Sequence, residues 1–433
     1  MSINRRKFIK NSALGVIGGS IAGSKNVFSE EIKEKIVKKP SRILEYRMLG
    51  RTGFKVSDIS LGYSNNSAVI KSAIEAGVNY IDTAESYRNQ PAVGEAIKGL
   101  DRSKIFITSK LEIKEDKSKE SFIKRFKKCL DELKTDYIDC MMIHSPEKVE
   151  TLKTPGFHEA MDQMKKEGKL KFVGVSNHGT NWLRRPKVSM EEILTAAAND
   201  GRFSVMLLAY NFIQEDFGAK VLELCKTKNI GTTLMKVNPV GKYYGIKERV
   251  DKLKKGGKKV PPLYLEGLEN YSKKAKIGEG FIKKYGLENP GEIRDAAIRF
   301  CLDNQNVGTV ACSMRNFDHI EDFVKLSGTR LVKTEKIKLA KYKEGPGMLY
   351  CRHACSKCEP SCPHEVPVNT IMRYNHYYEG QGKEKYAIKS YEKLDGNKAD
   401  ICSTCEGYCE KNCPYGVPVQ GMLAMAHKNL SIV

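Results

Sequence analysis

The stretch that decides the fold is Tyr80–Tyr87, which reads Tyr-Ile-Asp-Thr-Ala-Glu-Ser-Tyr. A short apolar segment typical of a β-strand ends here at Asp82 and is followed by a polar turn. A longer charged segment typical of a helix comes next. Outward from this segment, seven further short apolar runs alternate with longer amphipathic runs. This alternation is typical of βα units with a parallel sheet. The eight runs predict an α/β fold, a (β/α)8 TIM barrel.

The predicted barrel domain covers residues 45–330. Its eight strands are predicted at Ile59–Leu61, Tyr80–Asp82, Ile105–Thr108, Ile138–Ile143, Phe172–Val175, Val205–Ala209, Gly231–Met235 and Gly308–Ala311. Before the first strand, Glu45–Val56 contains a glycine-rich turn between apolar residues, which predicts a hairpin that closes the bottom of the barrel. The lysine-rich segment Asn238–Pro290 follows a strand, so we expect an insertion over the active-site face.

Four polar side chains follow or end successive predicted strands. The segment Asp82–Tyr87 comes at the end of the second strand, Lys110 ends the third, and His144 ends the fourth. Barrel enzymes keep their active sites at the carboxyl ends of the strands. Alone, each residue has a structural explanation, such as packing for Tyr87, but the four in order favour a catalytic site.

These four residues stand at the positions of the catalytic tetrad of the aldo-keto reductases, and the chain resembles that family over Glu45–Gly328. The segments Glu45–Gly53 and Val93–Ile97 resemble the family's N-terminal hairpin and the helix after the tyrosine. The resemblance implies an oxidoreductase that reduces a small carbonyl substrate or oxidises an alcohol.

The chemistry of carbonyl reduction explains these residue types. The reaction adds a hydride to carbon and a proton to oxygen, and Tyr87 would donate the proton as general acid. A free phenol has a pKa of about 10, which Lys110 is expected to lower by favouring the phenolate. Asp82 would hold Lys110 by an ion pair, and His144 would orient the substrate oxygen.

The resemblance also implies a nicotinamide cofactor, NADP(H). Ser176 and Asn177, after the fifth strand, match the pair that binds the nicotinamide amide in this family. Ser313, Arg315 and Asn316, after the eighth strand, stand where the adenosine phosphate is held. A guanidinium fork suits phosphate, so Arg315 is the expected partner of the 2′-phosphate.

Two residues of the expected cofactor site depart from the family pattern. Leu207 stands where a glutamine often faces the nicotinamide, and Lys236 stands near the position of a stacking aromatic residue, where it is predicted to contact the cofactor. These departures motivate a second hypothesis from another class: a binding or redox-sensing protein that uses the barrel as a scaffold without catalysis.

The thirteen cysteines fall into two classes. Five are scattered in apolar surroundings and are expected to be small core residues. These are Cys129, Cys140, Cys225, Cys301 and Cys312. The other eight lie between Cys351 and Cys413, in a predicted C-terminal domain of residues 345–433.

The eight clustered cysteines form an internal repeat, C-x3-C-x2-C-x3-C-P followed by C-x2-C-x3-C-x3-C-P. The repeat resembles the run of two-cluster bacterial ferredoxins, in which the last cysteine of each group ligates the other cluster. The resemblance implies two 4Fe-4S clusters in a small, mainly α-helical ferredoxin-like domain, and a possible redox partner protein. By the crossover rule, the ligands of one cluster would be Cys351, Cys355, Cys358 and Cys413, and those of the other Cys402, Cys405, Cys409 and Cys362. Zinc and disulfides remain alternatives.

The N-terminus carries Arg5-Arg6 before a short stretch, Ser12–Gly23, that is rich in Gly, Ala and Ser. This pattern indicates a twin-arginine signal peptide over residues 1–30, and the alternative is a basic arm that stays in the cytosol. The twin-arginine route carries folded proteins, which suits a protein that acquires clusters before export to the periplasm. Since the periplasm holds no recycling NADPH pool, export leaves the electron source open.

The formal net charge is +22, yet the lysines are scattered along the chain. Charge without a grooved, aromatic-lined block predicts only weak, salt-sensitive contact with nucleic acid, so we expect no nucleic-acid partner. No apolar run is long enough for a stable membrane span.

Overall fold

The computed structural model describes residues 41–178, 188–239, 277–280, 282–353, 355–381, 383–394 and 396–431. The predicted signal peptide and most of the predicted insertion lie outside these residues. The described residues all lie in one compact unit.

The centre of the fold is a closed barrel of eight parallel strands. Its strands are β3 (Ile59–Tyr63), β4 (Tyr80–Asp82), β5 (Phe106–Leu111), β6 (Ile138–His144), β7 (Leu170–Asn177), β8 (Val205–Ala209), β9 (Gly231–Met235) and β10 (Thr309–Ser313). Neighbours follow chain order, and β10 pairs with β3 to close the ring. All eight predicted strands are confirmed, and the differences are confined to their ends.

Helices follow the barrel strands and continue into the C-terminal region. They are α1 (Ser67–Glu75), α2 (Gln90–Ile97), α3 (Lys119–Leu133), α4 (Pro155–Lys166), α5 (Met190–Asp200), α6 (Ala219–Thr227), α7 (Pro290–Asp303), α8 (Phe317–Val324), α9 (Lys333–Glu344), α10 (Val368–Gln381), α11 (Glu384–Glu392), α12 (Tyr408–Lys411) and α13 (Val419–Leu430). Within the described ranges, none of them combines the length and apolar character needed to cross a membrane.

The predicted hairpin closes one end of the barrel. Its strands, β1 (Tyr46–Met48) and β2 (Lys55–Ser57), pair antiparallel. Leu49 and Val56 of this hairpin are buried with residues of the barrel interior. Gly50 has φ +49°, and a Cβ there would lie 2.2 Å from the backbone nitrogen of Gly231, so only glycine allows the hairpin to approach β9 this closely.

The C-terminal region packs on the barrel through a shared apolar cluster. Phe212 and Ile213, which follow β8, are buried in one cluster with Tyr350, Ile371 and Leu423 from the C-terminal region. Predicted helical stretches at 369–378 and 421–429 are confirmed by α10 and α13. The ferredoxin-like character of this region stays a prediction.

Candidate active site

Strand register brings the predicted catalytic residues to the same end of the barrel. Asp82 is the last residue of β4 and pairs with Thr108 of β5, two residues before Lys110. Lys110 pairs in turn with Met142 of β6, two residues before His144. We call this end, at the carboxyl termini of the strands, the barrel mouth.

Asp82 and Lys110 form a buried ion pair, as predicted. The Lys110 Nζ lies 2.6 Å from Oδ1 of Asp82, and the two side chains are 0% and 5% exposed. The same ammonium donates a hydrogen bond to the carbonyl oxygen of Thr83, at 2.7 Å. Burial raises the pKa of Asp82 and lowers the pKa of Lys110, while their mutual attraction opposes both changes.

Tyr87 reaches the barrel mouth from a short turn. Glu85–Tyr87 form one 3-10 turn, and Arg88 follows with φ +56° in the left-handed region, which turns the chain back. The Lys110 Nζ lies 4.6 Å from the centre of the Tyr87 ring. The ring centroids of Tyr87 and His144 are 5.8 Å apart. All four predicted catalytic side chains therefore converge.

The expected lowering of the Tyr87 pKa is wrong for this structure. Burial raises the pKa of Tyr87 well above its usual value, and the charge of Asp82 raises it further. Burial and the negative charge of Asp82 thus outweigh the expected effect of Lys110. Tyr87 is therefore a protonated phenol at neutral pH, the form that a proton donor needs.

His144 is uncharged at neutral pH. Burial lowers its pKa to about 3, and the positive charges of Lys110, Arg373 and Lys383 act in the same direction. Its Nδ1 is buried and has no hydrogen-bond partner among the described residues. Its nearest carboxylate oxygen, Oε1 of Glu112, is 3.9 Å away, too far for a hydrogen bond. The Nδ1 can therefore bind a substrate oxygen beside Tyr87.

The residues predicted for the nicotinamide amide end β7. The Ser176 Oγ is buried and has no hydrogen-bond partner among the described residues, whereas the Asn177 side chain donates to the carbonyl oxygen of Pro146 at 3.0 Å. A buried hydroxyl without a partner is costly, and a polar ligand would satisfy it. The pair fits an amide group.

The residues predicted for the adenosine phosphate form the turn after β10. Ser313 ends the strand, and the Asn316 side chain caps α8 by accepting from the backbone nitrogen of His319. The Arg315 side chain is partly buried, and no carboxylate of the described residues lies within 4.0 Å of it. A guanidinium in this position fits a phosphate.

Leu207 and Lys236 have different surroundings. Leu207 is buried in the barrel interior. Lys236 follows β9 with φ +60°, and its Nζ lies 4.8 Å from the ring centre of Tyr377 in α10. The aromatic ring near this position therefore comes from the C-terminal region.

Sequence reasoning missed further residues at the mouth, all from the C-terminal region or its contacts. An Arg373 nitrogen lies 3.0 Å from Nδ1 of His178, directly after the Ser176-Asn177 pair. The Lys383 Nζ lies 4.9 Å from the Tyr87 ring centre. No local pattern distinguishes Lys383 among the 74 lysines and arginines of the chain, because only the packing of α10 and α11 brings it here.

Cys413 lies near enough to Cys355 and Cys358 of the first cysteine group to affect their pKa values, and the crossed ligand sets stay a prediction. The pKa of Cys358 is raised first by burial and then by the neighbouring Cys351, Cys409 and Cys413 thiols. The pKa of Cys355 is also raised by burial, and Cys413 adds to the rise. The effect of Cys409 on Cys358 shows that the two groups are neighbours.

Cys362 likewise affects the pKa values of Cys402 and Cys409 in the second group. Burial raises the pKa of Cys402 and that of Cys409, and both are raised further by Cys362 and Cys405. All thirteen cysteines are free thiols. Across the described part of the chain, no three His, Cys, Asp or Glu side chains lie close enough together to hold a metal ion.

The five scattered cysteines are buried, as predicted. Burial raises the pKa of each thiol, for instance that of Cys129 to about 11. They are inert core residues of the barrel.

The sequence profile of the aldo/keto reductase family matches residues 49–342. The chain belongs to the aldo/keto reductase family. This match covers the barrel with all four converging residues, and it ends before the cysteine repeat.

Individual relatives of this aldo/keto reductase match shorter segments. The methylglyoxal reductase DkgB of Salmonella typhi is 38% identical over 112 residues, which are 25% of this chain and 42% of that protein. The NADP(+) glycerol 2-dehydrogenase of Saccharomyces cerevisiae is 30% identical over 211 residues, 41% of this chain and 64% of that protein. The match to the first of these relatives thus spans less than half of its length.

A solved structure supports the fold. The aldo/keto reductase of Klebsiella pneumoniae, in complex with NADP and acetate, superposes with a TM-score of 0.50 at 18% identity. The superposition covers 72% of this chain and all of the other. At this identity the likeness concerns the barrel fold alone.

Proposed function

We propose that the chain reduces a small carbonyl compound to an alcohol, with NADP(H) as the cofactor of the barrel. The observation that carries this proposal is the convergence of Asp82, Tyr87, Lys110 and His144 at the barrel mouth. The methylglyoxal reductases among the relatives suggest small aldehydes as first substrates to try.

Each residue of the site has a role in this reaction. Tyr87 donates a proton from its hydroxyl to the carbonyl oxygen, and His144 orients that oxygen through its Nδ1, which makes no hydrogen bond within the described residues. Lys110 stabilises the negative charge that develops during the transfer, and Asp82 fixes the ammonium in place. The nicotinamide cofactor, when bound, supplies the hydride.

The residues that would hold the cofactor are Ser176 and Asn177 at the amide and Ser313, Arg315 and Asn316 at the adenosine phosphate. Support comes from the Ser176 hydroxyl, which has no hydrogen-bond partner among the described residues, and from the partly buried Arg315 guanidinium, which forms no ion pair with them. Lys236, whose ammonium lies on the Tyr377 ring, is a further contact at the nicotinamide side.

The test is anaerobic turnover of methylglyoxal with NADPH by the wild type and by Tyr87→Phe. We expect Tyr87→Phe to lower kcat by about 10²- to 10⁴-fold, the usual contribution of a general acid. The control is Tyr137→Phe, which removes a hydroxyl next to the opposite end of β6 and should leave kcat unchanged. Equal turnover by Tyr87→Phe and Tyr137→Phe would overturn the assignment of Tyr87, whereas the absence of turnover in the wild type would support the scaffold hypothesis.

We further propose that the C-terminal region holds two 4Fe-4S clusters that exchange electrons with the barrel or with a partner protein. Thiolates are the ligands of such clusters. Cys413 of the second group affects thiols of the first group, and Cys362 of the first group affects thiols of the second. This agrees with two clusters that each take one ligand from the other group.

Metal and sulfide analysis after anaerobic purification tests the clusters. We expect iron and acid-labile sulfide in equal amounts, and about half of that iron in Cys413→Ser. The matched control, Cys225→Ala, removes a buried core thiol and should keep all the iron. Zinc in place of iron, or thiols lost to disulfides, would refute the cluster proposal.

Export by the twin-arginine route to the periplasm is also proposed, from the Arg5-Arg6 pair. A fusion of residues 1–40 to a reporter that must fold before export would test it. Arg5-Arg6→Lys-Lys should block export, and unimpaired export would contradict the proposal.

A further inference from the structure

Lys383 brings an ammonium from the C-terminal region into the barrel mouth. It lies between α10 and α11, and its Nζ is 4.0 Å from the ring centre of Tyr63 and 4.9 Å from that of Tyr87. Tyr63 ends β3 and Tyr87 is the proposed proton donor, so this ammonium lies over the reacting end of the site.

Among the residues that the structure describes, the Lys383 ammonium has no counter-ion. No carboxylate of the described residues lies within 4.0 Å of its Nζ, and Asp82, the acid whose charge reaches it, is already paired with Lys110. Burial, together with the positive charges of Arg315 and Lys110, lowers the pKa of Lys383 to about 8. The groups around it are therefore two cations, one paired acid and the phenol rings.

The aromatic contacts offset only part of the cost of burying the Lys383 ammonium beside two other cations. A cation over an aromatic face gains about 0.5–2 kcal/mol, whereas desolvation and repulsion by two cations have already moved the pKa of Lys383 to about 8. An anionic oxygen between Lys383 and Arg315 would relieve the repulsion and replace lost hydration. Perturbed, unpaired charges of this kind cluster at functional sites.

We propose that Lys383 is an anion-binding residue of the barrel active site, supplied by the C-terminal domain, and that it binds a carboxylate or phosphate oxygen of a molecule held in the mouth. The inference rests on the proposed function, since the bound molecule is the substrate or the cofactor. A substrate carboxylate and a cofactor diphosphate offer the same chemistry to Lys383, and two arms of one experiment distinguish them.

The experiment compares wild type, Lys383→Gln and Lys383→Arg. The matched control is Lys385→Gln, which removes an equal charge from an exposed position two residues away. One arm measures the Kd of NADPH and of inorganic pyrophosphate by calorimetry. The other arm measures kcat/KM for succinic semialdehyde relative to butanal, which lacks the carboxylate.

Loss of a charge-assisted contact corresponds to about a 10- to 100-fold effect. If the anion is the diphosphate, Lys383→Gln weakens NADPH and pyrophosphate by this factor and leaves the substrate ratio unchanged. If it is the substrate carboxylate, the ratio falls and the Kd of NADPH is unchanged. In both cases Lys383→Arg should keep most of the wild-type affinity or of the wild-type substrate ratio.

The wild type provides a measurement that does not depend on the folding of a variant. Since the pKa of Lys383 is about 8, binding of the anion should weaken as the pH rises from 7 to 9, and Lys383→Arg should remove this dependence because arginine stays charged. If the wild type shows no turnover, the binding measurements still test the role of Lys383. Failure of the proposed function can therefore be distinguished from failure of this inference. The inference would be overturned if Lys383→Gln, like Lys385→Gln, changed both arms by less than about twofold and if anion binding by the wild type did not change with pH.

Discussion

Replacement of Asp82 by asparagine removes the counter-ion of a fully buried ammonium. The Lys110 Nζ lies 2.6 Å from the Asp82 carboxylate, and its other partner is the Thr83 carbonyl. Leaving one charge of a buried pair unmatched costs about 3–5 kcal/mol. The loss of stability has an upper limit, because Lys110 can release its proton instead of remaining as an unpaired charge. Neutralising a lysine of pKa about 10.4 at pH 7 costs about 4.6 kcal/mol. We therefore expect the free energy of unfolding to fall by about 3–4.6 kcal/mol.

The pH dependence of this loss identifies its cause. If Lys110 is neutral in the folded variant, the unfolded chain binds one more proton below pH 10, so the free energy of unfolding rises with pH by about 1.4 kcal/mol per unit. Denaturant unfolding followed by circular dichroism at pH 7, 8 and 9 measures this slope. The exposed pair Glu95–Lys134, at 3.1 Å, supplies the control Glu95→Gln, for which we expect no measurable change. A loss below about 1 kcal/mol in Asp82→Asn, as for surface pairs, would refute the reasoning.

Two further outcomes are expected. Gly50→Ala should destabilise the fold more than Gly53→Ala in the same unfolding assay, because both have positive φ but only the Gly50 Cβ would clash, at 2.2 Å from backbone. The left-handed backbone costs about 1–2 kcal/mol at either position, and equal losses would contradict the clash. Since the pKa of His144 is about 3, kcat/KM for a neutral carbonyl should show no inflection between pH 5 and 7.5, and a limb near pH 6.5 would show that the imidazole titrates.

The barrel and the convergence of its four polar residues could be predicted because both depend on local pattern. Short apolar runs define the strands, and residues at the carboxyl ends of parallel strands must meet. The strand ends were less predictable. β5 extends through Lys110 to Leu111, beyond the predicted end at Thr108, because Lys110 pairs with β6 while its side chain turns inward to Asp82.

The contributions of the C-terminal region to the mouth could not be predicted. Arg373 and Lys383 follow the barrel by many residues, and they reach it only because the apolar cluster with Phe212 and Tyr350 fixes α10 against the barrel. Contacts of this kind depend on tertiary packing, which leaves no periodicity in the sequence. The same packing explains the error over Tyr87, because a covered phenol loses hydration whatever its neighbouring residues are.

The raised pKa of Tyr87 and the low pKa of His144 have a common origin, because both groups are buried at the covered barrel mouth and burial disfavours the charged form of each. For the proposed reaction, this environment favours one direction at neutral pH. Carbonyl reduction needs a protonated Tyr87, and burial maintains that form, whereas alcohol oxidation needs the phenolate as base. The positive charges of Lys110 and Lys383 also favour the oxygen as it gains negative charge during reduction. Alcohol oxidation should therefore become faster only as the pH rises towards the pKa of Tyr87, while reduction proceeds at pH 7. Initial rates in both directions at pH 7 and 10 would test this, and faster oxidation at pH 7 would contradict it.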